Sequence, residues 1–162
     1  MELLVVIAII AILATILLLQ LGTARAKSRD TKRIADITQV RTAIEQYFDD
    51  NSHYPVNNTQ TEMDKLAPYL TKVPQDPLAS ACTGYTGTSA TSRCYGYAYG
   101  SATQYQVWAE LEKKSTGLNS DADINSSLWS GGGGAKIDGG PLKETCNPAT
   151  IPSCIFDLGQ NQ

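Results

Sequence analysis

The sequence predicts an α+β fold: one long N-terminal helix, apolar in its first half and amphipathic in its second, packed on a small antiparallel β-sheet. Three observations carry that expectation. From Leu3 to Leu19 every residue is Leu, Val, Ile or Ala, apart from Thr15. From Ala24 to Asp50 there is no proline and no glycine, and apolar residues recur at spacings of three and four. Further on, the stretches around 94–99 and 105–111 alternate with a period of two. The 162 residues suffice for one ordinary domain. The expected layout is an apolar helix over 1–24, its amphipathic continuation over 25–52, and a globular head with disulfide loops over 53–162.

A helix that crosses a bilayer needs about 20 mainly apolar residues at about 1.5 Å each. Leu3 to Leu21 reaches that length if Gln20 lies near the interface, and the first charge after Glu2 is Arg25. A secretory signal has a basic start and a shorter apolar core, whereas this chain starts Met-Glu. A carboxylate leading an apolar helix is costly unless it reaches the headgroups or finds a cation. Glu2 is therefore expected either to lie in the interface or to pair with a cation once the helix leaves the lipid, such as the N-terminal ammonium of another copy.

Ile34, Ile37, Val40, Ile44, Tyr47 and Phe48 form a stripe at helical spacing, with Asp36, Arg41 and Glu45 largely between its members. Asp49-Asp50-Asn51-Ser52, with Tyr54-Pro55 beyond, is a helix stop. A continuous helix to that point would be about 75 Å long. Gly22 is its expected weak point, since an interior glycine costs up to about 1 kcal/mol. Such a helix needs lipid or sister helices around its first half and its own sheet against its second.

In the head, Thr61–Leu70 is expected as a short helix with a capping start at Thr61-Glu62-Met63-Asp64. Val73-Pro74-Gln75-Asp76-Pro77 is an extended turn segment. The tyrosines of Cys94-Tyr95-Gly96-Tyr97-Ala98-Tyr99 alternate, and Tyr105, Val107, Ala109 and Leu111 share a face, so two strands and a turn over Gly100–Thr103 make an antiparallel hairpin. The tyrosine stripe is either an adhesive surface or, more commonly, packing against the helix. Gly131–Gly134 follows no strand pattern and is expected to be a flexible loop. Cys82, Cys94, Cys146 and Cys154 permit three pairings, of which the local loops 82–94 and 146–154 are the simplest. Disulfides persist outside the cytosol.

A net charge of −3 and a pI near 5.1 argue against a dedicated nucleic-acid binder. The positive charge is clustered: Arg25, Lys27, Arg29, Lys32 and Arg33 lie just after the apolar run. They are expected to meet acidic lipid headgroups, to pair with acidic residues of a neighbouring subunit, or simply to form a solvated face. The single histidine, His53, lacks a partner motif, and there is no phosphate loop, metalloprotease motif or nucleophile elbow. An enzyme is not expected. Asp121-Ala122-Asp123-Ile124-Asn125 places oxygen side chains at alternate positions, which suits calcium, with Asp121, Asp123 and Asn125 as candidate ligands. Asn57 and Asn125 stand in glycosylation patterns.

The run Glu2-Leu3-Leu4-Val5-Val6-Ile7-Ala8-Ile9-Ile10-Ala11-Ile12-Leu13-Ala14 resembles the N-terminal helix of type IV pilins and type II secretion pseudopilins. In that family the mature chain typically begins Phe-Thr-Leu-x-Glu, and this chain starts one residue before the glutamate. The resemblance therefore implies a truncated start, with the leader peptide, its cleavage site and the methylated first residue lying ahead of Met1. It also implies that Glu2 neutralises the N-terminal amine of a neighbouring subunit while Leu3, Leu4, Val5, Val6 and Ile7 pack in a filament core. Pro-x-Asp-Pro ahead of the sheet is similar to the family's, as is the Asp-rich segment to the calcium loop of major pseudopilins. The positive-inside tendency would place the head in the cytoplasm; the resemblance and the cysteines place it outside. The leading expectation is a type IV pilus subunit: held in the inner membrane, then polymerised by an assembly machinery into a helical homopolymer on the cell surface. The alternatives are a pseudopilin of a type II secretion or DNA-uptake system, and a monomeric membrane-anchored binding module.

Overall fold

A computed structural model describes residues 2–80, 82–89, 92–147 and 153–161. Helix α1 runs unbroken over Glu2–Asn51, 50 residues, and Gly22 does not interrupt it. It ends where Ser52 takes a left-handed conformation (φ 59°) and donates its N–H to Phe48 O, a C-terminal cap that satisfies an otherwise orphaned carbonyl. Only the second half of α1 meets the head. Ile37, Val40, Ala43, Ile44 and Tyr47 are buried, with Ile34 and Phe48 at the margin. Each fully buried aliphatic side chain contributes about 1.5–3 kcal/mol.

The sheet is antiparallel throughout, in the order β3-β1-β2-β4. Strands β1 (Gly96–Ser101) and β2 (Gln104–Glu110) form the expected hairpin. Tyr105, Val107 and Ala109 face α1, joined from β4 (Ile155–Asn161) by Phe156 and Leu158, which sit opposite Ala109 and Val107 in the register. The result is the pilin-like α+β arrangement.

Three local expectations are corrected. First, the helix after α1 is shorter: α2 covers Gln60–Asp64 and turns follow. Its N-cap is Thr59, without a side-chain cap bond, and Thr61 lies inside it. Second, Gly131–Gly134 is not simply a loop, because Gly133–Gly134 forms edge strand β3, paired with Tyr99 and Ala98. The pairing is made by backbone alone, which no side-chain pattern announces. Gly134 has φ +96°, and a Cβ there would fall 2.3 Å from Tyr97 O. Third, β4 was not expected. Gly159 interrupts its pattern and a charged residue, Asp157, sits mid-strand; only the alternation of Phe156 and Leu158 around Asp157 signals it.

The tyrosine stripe is packing rather than an adhesive face. Tyr95, Tyr97 and Tyr105 are buried, and their hydroxyls reach polar partners across the core. Tyr95 donates to Asp36 Oδ2 at 2.6 Å, Tyr105 to Glu45 Oε1 at 2.6 Å and Tyr97 to Pro55 O at 2.7 Å. Asp36 and Glu45 were expected to lie between the stripe's members. They instead give the buried phenols acceptors, without which each hydroxyl would cost about 1–3 kcal/mol.

Candidate assembly helix and the clusters around it

Every described side chain from Glu2 to Arg25 is exposed. Leu3, Leu4, Val5, Val6 and Ile7 keep between 51 and 78% of their surface. The segment is long and apolar enough to cross a membrane. An apolar face of this size, with nothing of its own chain against it, calls for lipid or for other helices.

Where the helix enters the head, the structure corrects the reading of the basic cluster. Arg33 is fully buried. Its Nε and Nη2 donate to the two oxygens of Asp76 at 2.6 and 3.0 Å, and its Nη1 to Asp30 Oδ1 and Glu112 Oε1, both at 2.7 Å. Arg29 makes a second fork on Glu112, at 2.7 and 2.6 Å, and Lys32 pairs with Asp36. Three of the five cations are thus paired inside their own chain, and of these Arg33 is buried while Lys32 stays half exposed. Their partners Asp76 and Glu112 are remote in sequence, so the pattern around position 30 held no sign of them. The hydrogen bond from Arg29, then that from Arg33, outweighs burial and holds Glu112 at about 2. Burial alone would lower the Arg33 pKa, but its bonds to Asp76 and Glu112 raise it instead. Asp76 also accepts from Leu78 N at 2.7 Å, so the Pro-Gln-Asp-Pro turn presents its carboxylate to the helix. Asp30 in turn accepts from Glu112 N and Lys113 N, tying the end of β2 to the stalk.

A second cluster lies in the loop after β2. One carboxylate oxygen each from Asp121, Asp123 and Glu144 fall within 4.8 Å of one another. Burial, with the neighbouring charges of Asp157, Glu144 and Asp123, pushes Asp121 up to about 7. Asp121 Oδ1 is buried without a hydrogen-bond partner. Converging hard oxygen donors with an orphaned lone pair fit a calcium-like cation. Of the three candidate ligands, Asp121 and Asp123 meet in this cluster, and Asn125 Oδ1 accepts from the N–H and the hydroxyl of Ser127. Glu144 joins them from beyond the glycine-rich segment. Beneath the cluster, Asp157 is fully buried, with Oδ2 accepting from Gln106 Nε2 at 2.8 Å and Ile124 N at 3.0 Å; burial pushes it to about 7.

Cys82 is bonded to Cys94 and Cys146 to Cys154. Asn57 is exposed, whereas Asn125 is half-buried and committed to Ser127. His53 packs edge-on against Tyr47, with ring centroids 5.6 Å apart.

No protein-family profile matches this chain, and no solved structure does. Among curated proteins it is similar to the type II secretion system core protein G of Escherichia coli (strain K12). The two are 31% identical over 90 residues, covering 48% of this chain and 62% of the relative. The match therefore spans less than two thirds of the relative's length. That name describes a core protein of a secretion system, in keeping with the expectation of a non-enzymatic chain.

Proposed function

We propose that this chain is a pseudopilin-type structural subunit, stored in the membrane by the first half of α1 and polymerised through that same helix into the fibre of a secretion machine. The observation that carries the reading is the segment 2–24, led by Glu2, whose described side chains are all exposed, on a head locked to the second half of the same helix. The similarity to a type II secretion core protein supports secretion over a surface pilus.

Lipid tails are as apolar as leucine, so moving the segment into a bundle of sister helices brings no hydrophobic gain. Packing between helices and the fate of Glu2 must decide assembly. A carboxylate in the bilayer costs about 3 kcal/mol, and a neighbouring subunit's N-terminal ammonium would relieve it. Leu3 to Ile7 then pack against copies of themselves, and head-to-tail contacts that do not close extend the fibre.

The test is Glu2→Leu in a host with an assembly machinery. Fibres seen by electron microscopy and crosslinks between apolar segments should disappear while the head keeps its disulfides and fold. Wild-type fibre yield from this variant would sink the proposal. A surface type IV pilus is the second reading, favoured by the two disulfides; long fibres on the cell exterior, rather than short ones dependent on a secretion complex, would select it. Asp121, Asp123 and Glu144 would hold a calcium ion in either case, and the ion would neutralise their mutual repulsion.

A further inference from the structure

At the neck of the molecule the structure brings Lys113 and Lys114 beside the basic cluster that follows the apolar run. Counting Arg25, Lys27, Arg29, Lys32, Arg33, Lys113 and Lys114 against Asp30, Asp36, Asp76 and Glu112, the neck has a surplus of three positive charges in a chain whose net charge is −3. Arg29, Lys32 and Arg33 pair with the four carboxylates and leave one negative charge over, so the positive surplus lies outward. It resides on four exposed side chains: Arg25 and Lys27 from α1, and Lys113 and Lys114 from the segment leaving β2.

Lys27, Lys113 and Lys114 line one cleft of about 280 Å³ with Thr31, Ser115 and Thr116. Asp30 also borders it, but its Oδ1 already accepts from Arg33 and Glu112 N, and its Oδ2 from Lys113 N. Lys114 additionally faces the Glu144 carboxylate. The cleft is therefore cationic, with its one bordering acid already satisfied. Lys27 stands six residues past Leu21, about 9 Å along the helix, which sets its backbone a few ångströms outside a headgroup zone about 5–7 Å deep. Lysines there snorkel down to phosphate level.

We infer that this cleft is a binding site for the phosphate of an anionic phospholipid headgroup, gripped by Lys27, Lys113 and Lys114. The inference rests on the membrane-anchored reading of residues 2–24. Its consequence is orientational: lysines from the head hold the head down against the bilayer until the subunit is drawn into the fibre. Each lysine near an anionic surface is worth about a fivefold change in partitioning.

The test uses the full chain in nanodiscs of phosphatidylcholine alone and of phosphatidylcholine with phosphatidylglycerol, followed by native mass spectrometry of the lipids retained on release. The wild type should retain phosphatidylglycerol well above its share in the disc. Lys113→Gln with Lys114→Gln should cut that enrichment about tenfold or more, and Lys65→Gln, at the far end of the head, should leave it unchanged. Free inorganic phosphate at millimolar concentration should not compete if the headgroup is the ligand; competition would assign the cleft to soluble phosphate and overturn the lipid assignment. A chain that enters the discs but retains both lipids alike overturns the site alone. A chain that does not enter the discs overturns the anchor and the site with it.

Discussion

Replacing Arg33 by methionine should destabilise the head by about 3–5 kcal/mol, the usual cost of deleting one partner from a buried ion cluster. The side chain is 0% exposed and makes four charge-assisted hydrogen bonds to Asp30, Asp76 and Glu112. Methionine fills much of the volume but leaves Asp30 and Asp76 without a cation beside Glu112, which keeps its fork from Arg29. Asp30 keeps two backbone donors and Asp76 keeps Leu78 N, which limits the loss. For a head of this size the cost amounts to a fall in Tm of about 10–20 °C. Arg33→Lys should lie in between, because one ammonium cannot supply both the fork on Asp76 and the bond to Asp30 and Glu112. Denaturation of the full chain in detergent, followed by near-ultraviolet circular dichroism of the buried tyrosines, reports the head rather than the detergent-held helix. Arg25→Met is the control, with a cost under about 0.5 kcal/mol as for other surface positions. An Arg33→Met loss no larger than that control would refute the claim that the neck is clamped through this residue.

Four other outcomes are expected. Asp157 has its pKa raised to about 7 by burial, so its ionisation opposes folding: its contribution is most favourable below the ordinary carboxylate range and is lost as pH rises from about 4 to 7. Asp157→Asn, which keeps an acceptor for Gln106 and Ile124, should flatten the fall in stability over that window in a pH series of urea melts. Glu112 has the opposite sign: held at about 2, it stabilises the head above its ordinary range, and that contribution is lost as pH falls from about 4.5 to 2, a loss that Glu112→Gln should abolish. Calcium at about a hundred times its Kd should stabilise the head by about 2.7 kcal/mol, read as a rise in Tm that Asp121→Asn with Asp123→Asn removes. Replacing Cys146 and Cys154 by serine should cost about 2.5 kcal/mol from the loop they close, measured by the same melts under non-reducing conditions.

The sequence by itself determined the elements whose signal is local. An unbroken run of apolar helix formers can only be a helix seeking lipid or sister helices, and a stripe at three- and four-residue spacing can only bury one side. Period-two tyrosines can only be strands, so α1 and the β1–β2 hairpin were legible. What the tertiary structure decided is where polar groups found their partners. Nothing near position 33 indicates that its guanidinium is buried, because Asp76 and Glu112 lie far along the chain and reach it only when the sheet docks. For the same reason the regular spacing of Asp121, Asp123 and Asn125 is visible along the chain, whereas Glu144 reaches the cluster over an intervening loop. Edge strand β3 is paired through its glycine backbone, and β4 holds a buried carboxylate whose donors come from β2 and from the loop before Asn125. Hydrophobic periodicity is written along the chain, but charge compensation is a property of distance in space, and in this molecule that distance is set by the packing of the head on the stalk.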